Sequence, residues 1–241
     1  MHSATLLALA LAAGTNALPA ARGTPTIRYP VHANVVATVF WVGEPKGNGS
    51  SEDNALSAWD DRWLQHYGGV DDPRKRRPYP YFPPFRPHEN PFYLDLPYND
   101  FDDHGNPRPG RTKVIPWAPA YATALAASKR TGRPFSLMKN RWVKISRHVG
   151  KRTLVCYGQI EDAGPYVYDD AAYVFGTEGQ RPKNTRASHA GLDVSPAIRD
   201  CLHFPGLNDA RTKVRWQFVE ARAVPPGPWR IVVTTRQVYW P

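Results

Sequence analysis

Two aspartates occupy positions where a carboxylate can do chemistry. Asp162 stands in Gln159-Ile160-Glu161-Asp162-Ala163-Gly164-Pro165-Tyr166, where a strand pattern breaks into a Gly-Pro turn. Asp193 stands in His189-Ala190-Gly191-Leu192-Asp193-Val194-Ser195-Pro196, just before a helix start marked by Ser195 as N-cap and Pro196 at the first helical position. A carboxyl pair is the basic equipment for general acid–base cleavage of a glycosidic bond, one group protonated and the other ionised. Each aspartate also has a local structural use. Asp162 can accept backbone N–H bonds in its turn, and Asp193 can complement the positive end of the helix dipole. Spacing alone favours these structural uses. Other chemistries lack their signatures: there is no Gly-x-Ser-x-Gly elbow, no phosphate loop and no His-Glu-x-x-His. Two cysteines do not make a thiolate zinc site, and the eight histidines show no ligand spacing. The segment from Asp100 opens like a calcium loop, with Asp102 and Gly105, but places His104 fifth and Arg111 twelfth, where a bidentate Glu is required. No metal and no cofactor are expected. Cys156 lies inside a strand pattern and is not read as a thiol nucleophile.

The elements that must position these residues are short and mostly extended. VVATVFWV (35–42) reads as a buried strand, PFYLDLP (91–97) as another, and 141–148 with 152–161 as two strands around Gly150. Residues 214–221 and 229–235 read as the last strands, 195–203 and 119–130 as short helices. Leu56, Trp59, Trp63, Leu64 and Tyr67 recur at helical spacing, which predicts a helix over 52–67 packed on a core. Residues 71–90 change character. The basic run Arg74-Lys75-Arg76-Arg77 precedes Tyr79, Tyr81, Phe82 and Phe85 interleaved with prolines, a polyproline-like loop. It reads either as a solvated excursion or as a ligand-facing rim, with aromatic faces for sugars or bases and cations for an anion. No internal repeat is present.

Composition sets the class. The chain has 241 residues, and its 25 prolines are about twice the usual share, which argues against long helices and for a loop-rich β protein. The net charge of +10 favours an anionic partner, whether nucleic acid, membrane headgroups or acidic polysaccharide. Leu6–Ala13 is a short apolar run followed by small residues suited to signal-peptidase cleavage after Ala17, so the protein is expected to be secreted. No other stretch is long enough to span a membrane. Asn48-Gly49-Ser50 is a glycosylation sequon. An oxidising destination makes a Cys156–Cys201 disulfide plausible and a nucleic-acid role less so.

VCYGQIEDAGPYV (155–167) followed by GLDVSPAIRDCL (191–202) resembles the signature of secreted double-psi β-barrels, among them rare lipoprotein A, expansins, barwin and family 45 glycoside hydrolases. Asp162, Gly164 and Pro165 match the first element. Leu192, Asp193, Ser195 and Pro196 match the second, with Val194 in place of the family's Leu. The resemblance implies a mainly β fold, a single six-stranded double-psi β-barrel over 33–235 with long inserted loops (about 44–90 and 166–190) and a few short helices. It would follow a signal peptide (1–17) and an N-terminal extension (18–32). It implies a groove in which Asp193, as general acid, and Asp162 face a polysaccharide, with Trp41, Tyr166 and His189 binding the substrate. The departures are a 31-residue separation of the aspartates, an extra loop holding Asp169, Asp170, Tyr173 and Arg181, and no second distant base. The function expected from this resemblance is a secreted cell-wall polysaccharide-binding or wall-loosening protein of the expansin or rare lipoprotein A type. Peptidoglycan, cellulose or pectin would be its partner, and it would act as a monomer with no nucleic acid. The alternatives are a lytic transglycosylase or glycoside hydrolase using Asp193, and a basic defence or effector protein binding nucleic acid or protein.

Overall fold

The computed structural model describes residues 28–47, 53–177 and 179–240. The expected signal peptide, most of the N-terminal extension and the sequon lie outside them. Six strands form: β1 (His32–Val39), β2 (Tyr93–Leu96), β3 (Trp142–Val149), β4 (Arg152–Ala163), β5 (Leu192–Val194) and β6 (Lys213–Val219). They close a barrel in the order β1-β5-β2-β4-β3-β6. The β1–β5 and β2–β4 pairs are parallel and the other four antiparallel. Closure removes free sheet edges, which lets strands as short as β5 persist. Among the described residues five short α-helices decorate the barrel: α1 (Trp63–Tyr67), α2 (Arg111–Val114), α3 (Ala122–Thr131), α4 (Ala171–Val174) and α5 (Pro196–Cys201). Among the described residues no helix is long and apolar enough to cross a membrane.

The strand sequences explain the barrel. In β6, Val214, Trp216 and Phe218 are buried while Lys213 and Arg215 are exposed, the period-two pattern of a strand with one packed face. Ala37, Val39, Leu94, Ile145, Ile160, Leu192 and Val194 join them in one core. β3 and β4 meet at Gly150, whose φ of 58° is the left-handed conformation that a tight hairpin demands. The Ser195 hydroxyl accepts the Ile198 N–H, capping α5 as its sequence predicts. α5 lies against β4 so closely that a Cβ on Gly158 would stand 2.6 Å from the Phe92 carbonyl oxygen and 2.7 Å from Ile198. Cys156 on β4 and Cys201 at the end of α5 form a disulfide, with Cα atoms 6.3 Å apart.

Two expected elements are replaced. Only Trp63–Tyr67 of 52–67 is helical. Trp59, Trp63 and Tyr67 are fully buried as their spacing suggests, but Leu56 is 50% exposed. Asp60 instead bridges to Tyr239 near the C-terminus and bonds His66. Residues 229–235 are not a strand. Thr234 there receives and donates bonds with Asn90 and Gln159, so that this segment is pinned by polar side chains rather than by a ladder. The basic aromatic segment 71–90 is partly packed: Phe82 is buried, and Arg76 is buried in an ion pair with Asp71.

Candidate functional site

Three aspartates and a threonine lie in one row across four adjacent strands. Thr38 of β1 is in register with Asp193 of β5, Asp193 with Asp95 of β2, and Asp95 with Asp162 of β4. The last pairing depends on an irregularity. Leu94 pairs with Ile160 and Asp95 with Asp162, so β4 carries one extra residue, Glu161. That bulge brings Asp162 into the row, a use of bulges common beside functional sites. Glu161 is buried against Lys139, whose Nζ lies 2.7 Å from its Oε2.

The row floors a small cavity of about 60 Å³, lined also by Glu44, Asn54, Tyr166, Tyr168 and Asn208. A larger one of about 540 Å³ shares Asp162, Ala163 and Tyr168 with it and adds Asp61, Asp102, Asp103, His104 and Trp240. Together they make a groove with aromatic rings at its walls.

Each carboxyl is held differently. Asp162 Oδ1 accepts the N–H of Ala58 at 2.7 Å and that of Ala163 at 2.8 Å. One of these donors is the expected local turn; the other reaches in from 104 residues away. Asp193 is half-buried, and the Thr38 hydroxyl donates to its Oδ1. Burial, then the negative charges of Glu44 and Asp162, push its pKa up to about 8. Its backbone N–H donates to Asp95 Oδ1 at 3.1 Å. Glu44, only 4% exposed, has its pKa raised to about 7 by burial, against hydrogen bonds from the Trp41 backbone and Asn54. Gly164 permits the close approach: a Cβ there would stand 2.7 Å from Asp95 Oδ2. Burial also raises the Tyr166 hydroxyl. A carboxyl raised this far and grouped with other carboxyls across a cavity is an arrangement that can donate a proton.

Of the residues expected to bind substrate, Tyr166 lines the groove. Trp41 is buried and contributes its backbone to Glu44, leaving its indole outside the lining. His189 lines a different cavity and bonds the Asn184 carbonyl through Nδ1. Sequence reading did not single out Asp95, Glu44 or Thr38. Asp95 had a signal, a charge in the middle of the apolar run PFYLDLP. Glu44, in a loop after a strand, had none. Among the described residues no group of three or more His, Cys, Asp or Glu side chains is disposed to hold a metal ion. The chain matches no family model, no curated protein and no solved structure.

Proposed function

We propose that this is a secreted double-psi β-barrel protein that cleaves a cell-wall glycan in the groove, with Asp193 as general acid. The observation that carries this reading is the row Thr38–Asp193–Asp95–Asp162, which brings three carboxyls and a hydroxyl into register on adjacent strands. Asp193 donates its proton to the glycosidic oxygen as the bond from that oxygen to the anomeric carbon breaks. Positive charge that develops on the sugar ring is stabilised by the carboxylates beside it. Asp162 then takes the proton from the attacking group, water or the sugar's own hydroxyl. Two inter-strand steps separate Asp162 from Asp193, about 9.5–10 Å between their Cα atoms. Tyr166, Tyr168 and Trp240 supply ring faces for sugars.

The charge of the lining narrows the substrate. Glu44, Asp95, Asp162 and Asp193 face the smaller cavity with no Lys or Arg among them, and Asp61, Asp102 and Asp103 extend the acidity with only His104 opposed. A neutral or amino-bearing glycan fits this groove; a polyuronate such as pectin is repelled.

The test is incubation with neutral, amino-bearing and uronate polymers, reading pelleted protein and soluble ends together. Cleavage of a neutral or amino-bearing polymer is expected, falling by about 10²–10⁴-fold in Asp193→Asn. Tight pelleting by the wild type with no new ends or anhydro-sugars supports the wall-binding and loosening reading instead.

A further inference from the structure

The net charge of +10 finds no outlet in the acidic groove. In the basic run at 74–77, Arg76 is paired with Asp71 and Asp200, while Arg74, Lys75 and Arg77 are exposed. Exposed cations also collect around a cavity of about 510 Å³ beside the Asn34–Val36 stretch of β1. Arg181, Lys183 and Lys213 line it together with His189, all of them exposed, and among the described residues no Asp or Glu does. Lys213 sits in register with Val36 of β1, and Arg215 continues the exposed positive face along β6. Two residues of β1, about 7 Å, separate Val36 here from Thr38 in the carboxylate row. One barrel therefore carries sites of opposite sign on the same strand.

We propose that this cavity binds the acidic groups of an anionic polysaccharide and so anchors the protein to a charged matrix while the groove stays open. The lining pairs its cations with hydroxyl and amide groups from Asn34, Gln180, Thr185 and Ser188, the partners a hydroxylated polymer takes. Among the described residues its lining includes no Phe, Tyr or Trp on which a nucleobase could stack. Arg181 already points one Nη at the Ala33 carbonyl, 3.4 Å away, which holds it at the rim of β1. Lys183 lies 3.4 Å from Asp169, and with both side chains more than half exposed, that pair gives way readily to a polymer anion. The proposal is independent of whether the groove is catalytic.

The experiment titrates the full chain with polygalacturonate, dextran sulfate, a neutral β-glucan and oligothymidylate at low and at 0.5 M salt. Binding to at least one of the two polyanions is expected, weakened at least tenfold by salt. It should weaken at least tenfold in the pair Arg181→Glu with Lys213→Glu, with the thermal midpoint retained. A second variant, Lys183→Glu, changes only an exposed tip and should shift affinity the same way. Asp193→Asn should bind polyanion as the wild type does, which separates this site from the groove. Failure to bind either polyanion overturns the proposal, as does unchanged affinity in both charge-reversal variants. Oligothymidylate bound more tightly than either polyanion, and lost in the same variants, also overturns it and assigns the cavity to nucleic acid.

Discussion

Asp193 keeps its proton at neutral pH because it is half-buried and faces Glu44 and Asp162. This makes its contribution to stability opposite in sign to that of an ordinary ion-paired aspartate. Its folded pKa, about 8, lies above the unfolded value, so the folded state holds the proton more tightly. The stabilisation is full below the unfolded pKa and is lost as pH rises through about 8. Asp193→Asn removes the titration while keeping the size and most of the hydrogen bonding. The variant should therefore gain thermal stability relative to wild type between pH 6 and pH 9, with the gap closing toward pH 4. Cleavage by the wild type should fall above about pH 8 as the acid ionises. A variant less stable than wild type at pH 9 would show that Asp193 serves the fold through its charge. Both aspartates were legible in the sequence because Asp162 stands where a strand pattern breaks into a Gly-Pro turn and Asp193 stands just before the Ser195-Pro196 helix start. Their relation to Asp95 was not, since it depends on the register of three strands distant in the chain and on a one-residue bulge.

At the scale of elements, β4 and α5 form the frame that brings Asp162 and Asp193 to one place. Asp162 follows Cys156 by six residues and Cys201 follows Asp193 by eight, so the disulfide closes the segment between the two cysteines, 45 residues apart, onto the row. In the chain-entropy account such a loop is worth about 4 kcal/mol. Cys156→Ser combined with Cys201→Ser should lose about that much in denaturant unfolding. Activity at low temperature should survive, because Gly158 against Phe92 and Ile198 still seats α5 on β4. A double variant as stable as wild type would mean that the packing at Gly158 alone fixes the frame. The hairpin at Gly150 and the cap at Ser195 could be read locally because their signals are local. The helix over 52–67 was over-read for the converse reason. Its aromatic spacing is real, but Asp60 takes partners at Tyr239 and His66 and breaks the pattern, and nothing near Asp60 in the chain announces a C-terminal partner.

For the molecule as a whole, the +10 charge pointed to polyanions without saying where, and the folded chain lines one cavity along β1 with carboxyls and another with cations. The interior shows a second consequence of holding many carboxyls out of water. Glu44 and Glu161 are raised to about 7, Asp193 to about 8, and Glu89 is also raised, with burial the largest cause in each. Every one of these binds a proton more tightly folded than unfolded, so each stabilises at low pH and loses that contribution as pH climbs through its folded value. His32 works the other way. Buried with no hydrogen-bond partner among the described residues and stacked on Trp216 at 3.9 Å, it is lowered to about 4, so its protonation destabilises as pH falls below about 6.5. Four carboxyls outweigh one imidazole between pH 5 and pH 8. The lowered Asp209, at about 2, titrates below that window. The thermal midpoint should accordingly be several degrees higher at pH 5 than at pH 8, although the net positive charge, and with it self-repulsion, grows on acidification. His32→Phe should raise the midpoint at pH 5 more than at pH 8, because only the wild type gives up proton affinity there. A midpoint that rises from pH 5 to pH 8 would mean that these carboxyls are ionised in the folded protein, and Asp193 would then have no proton to give.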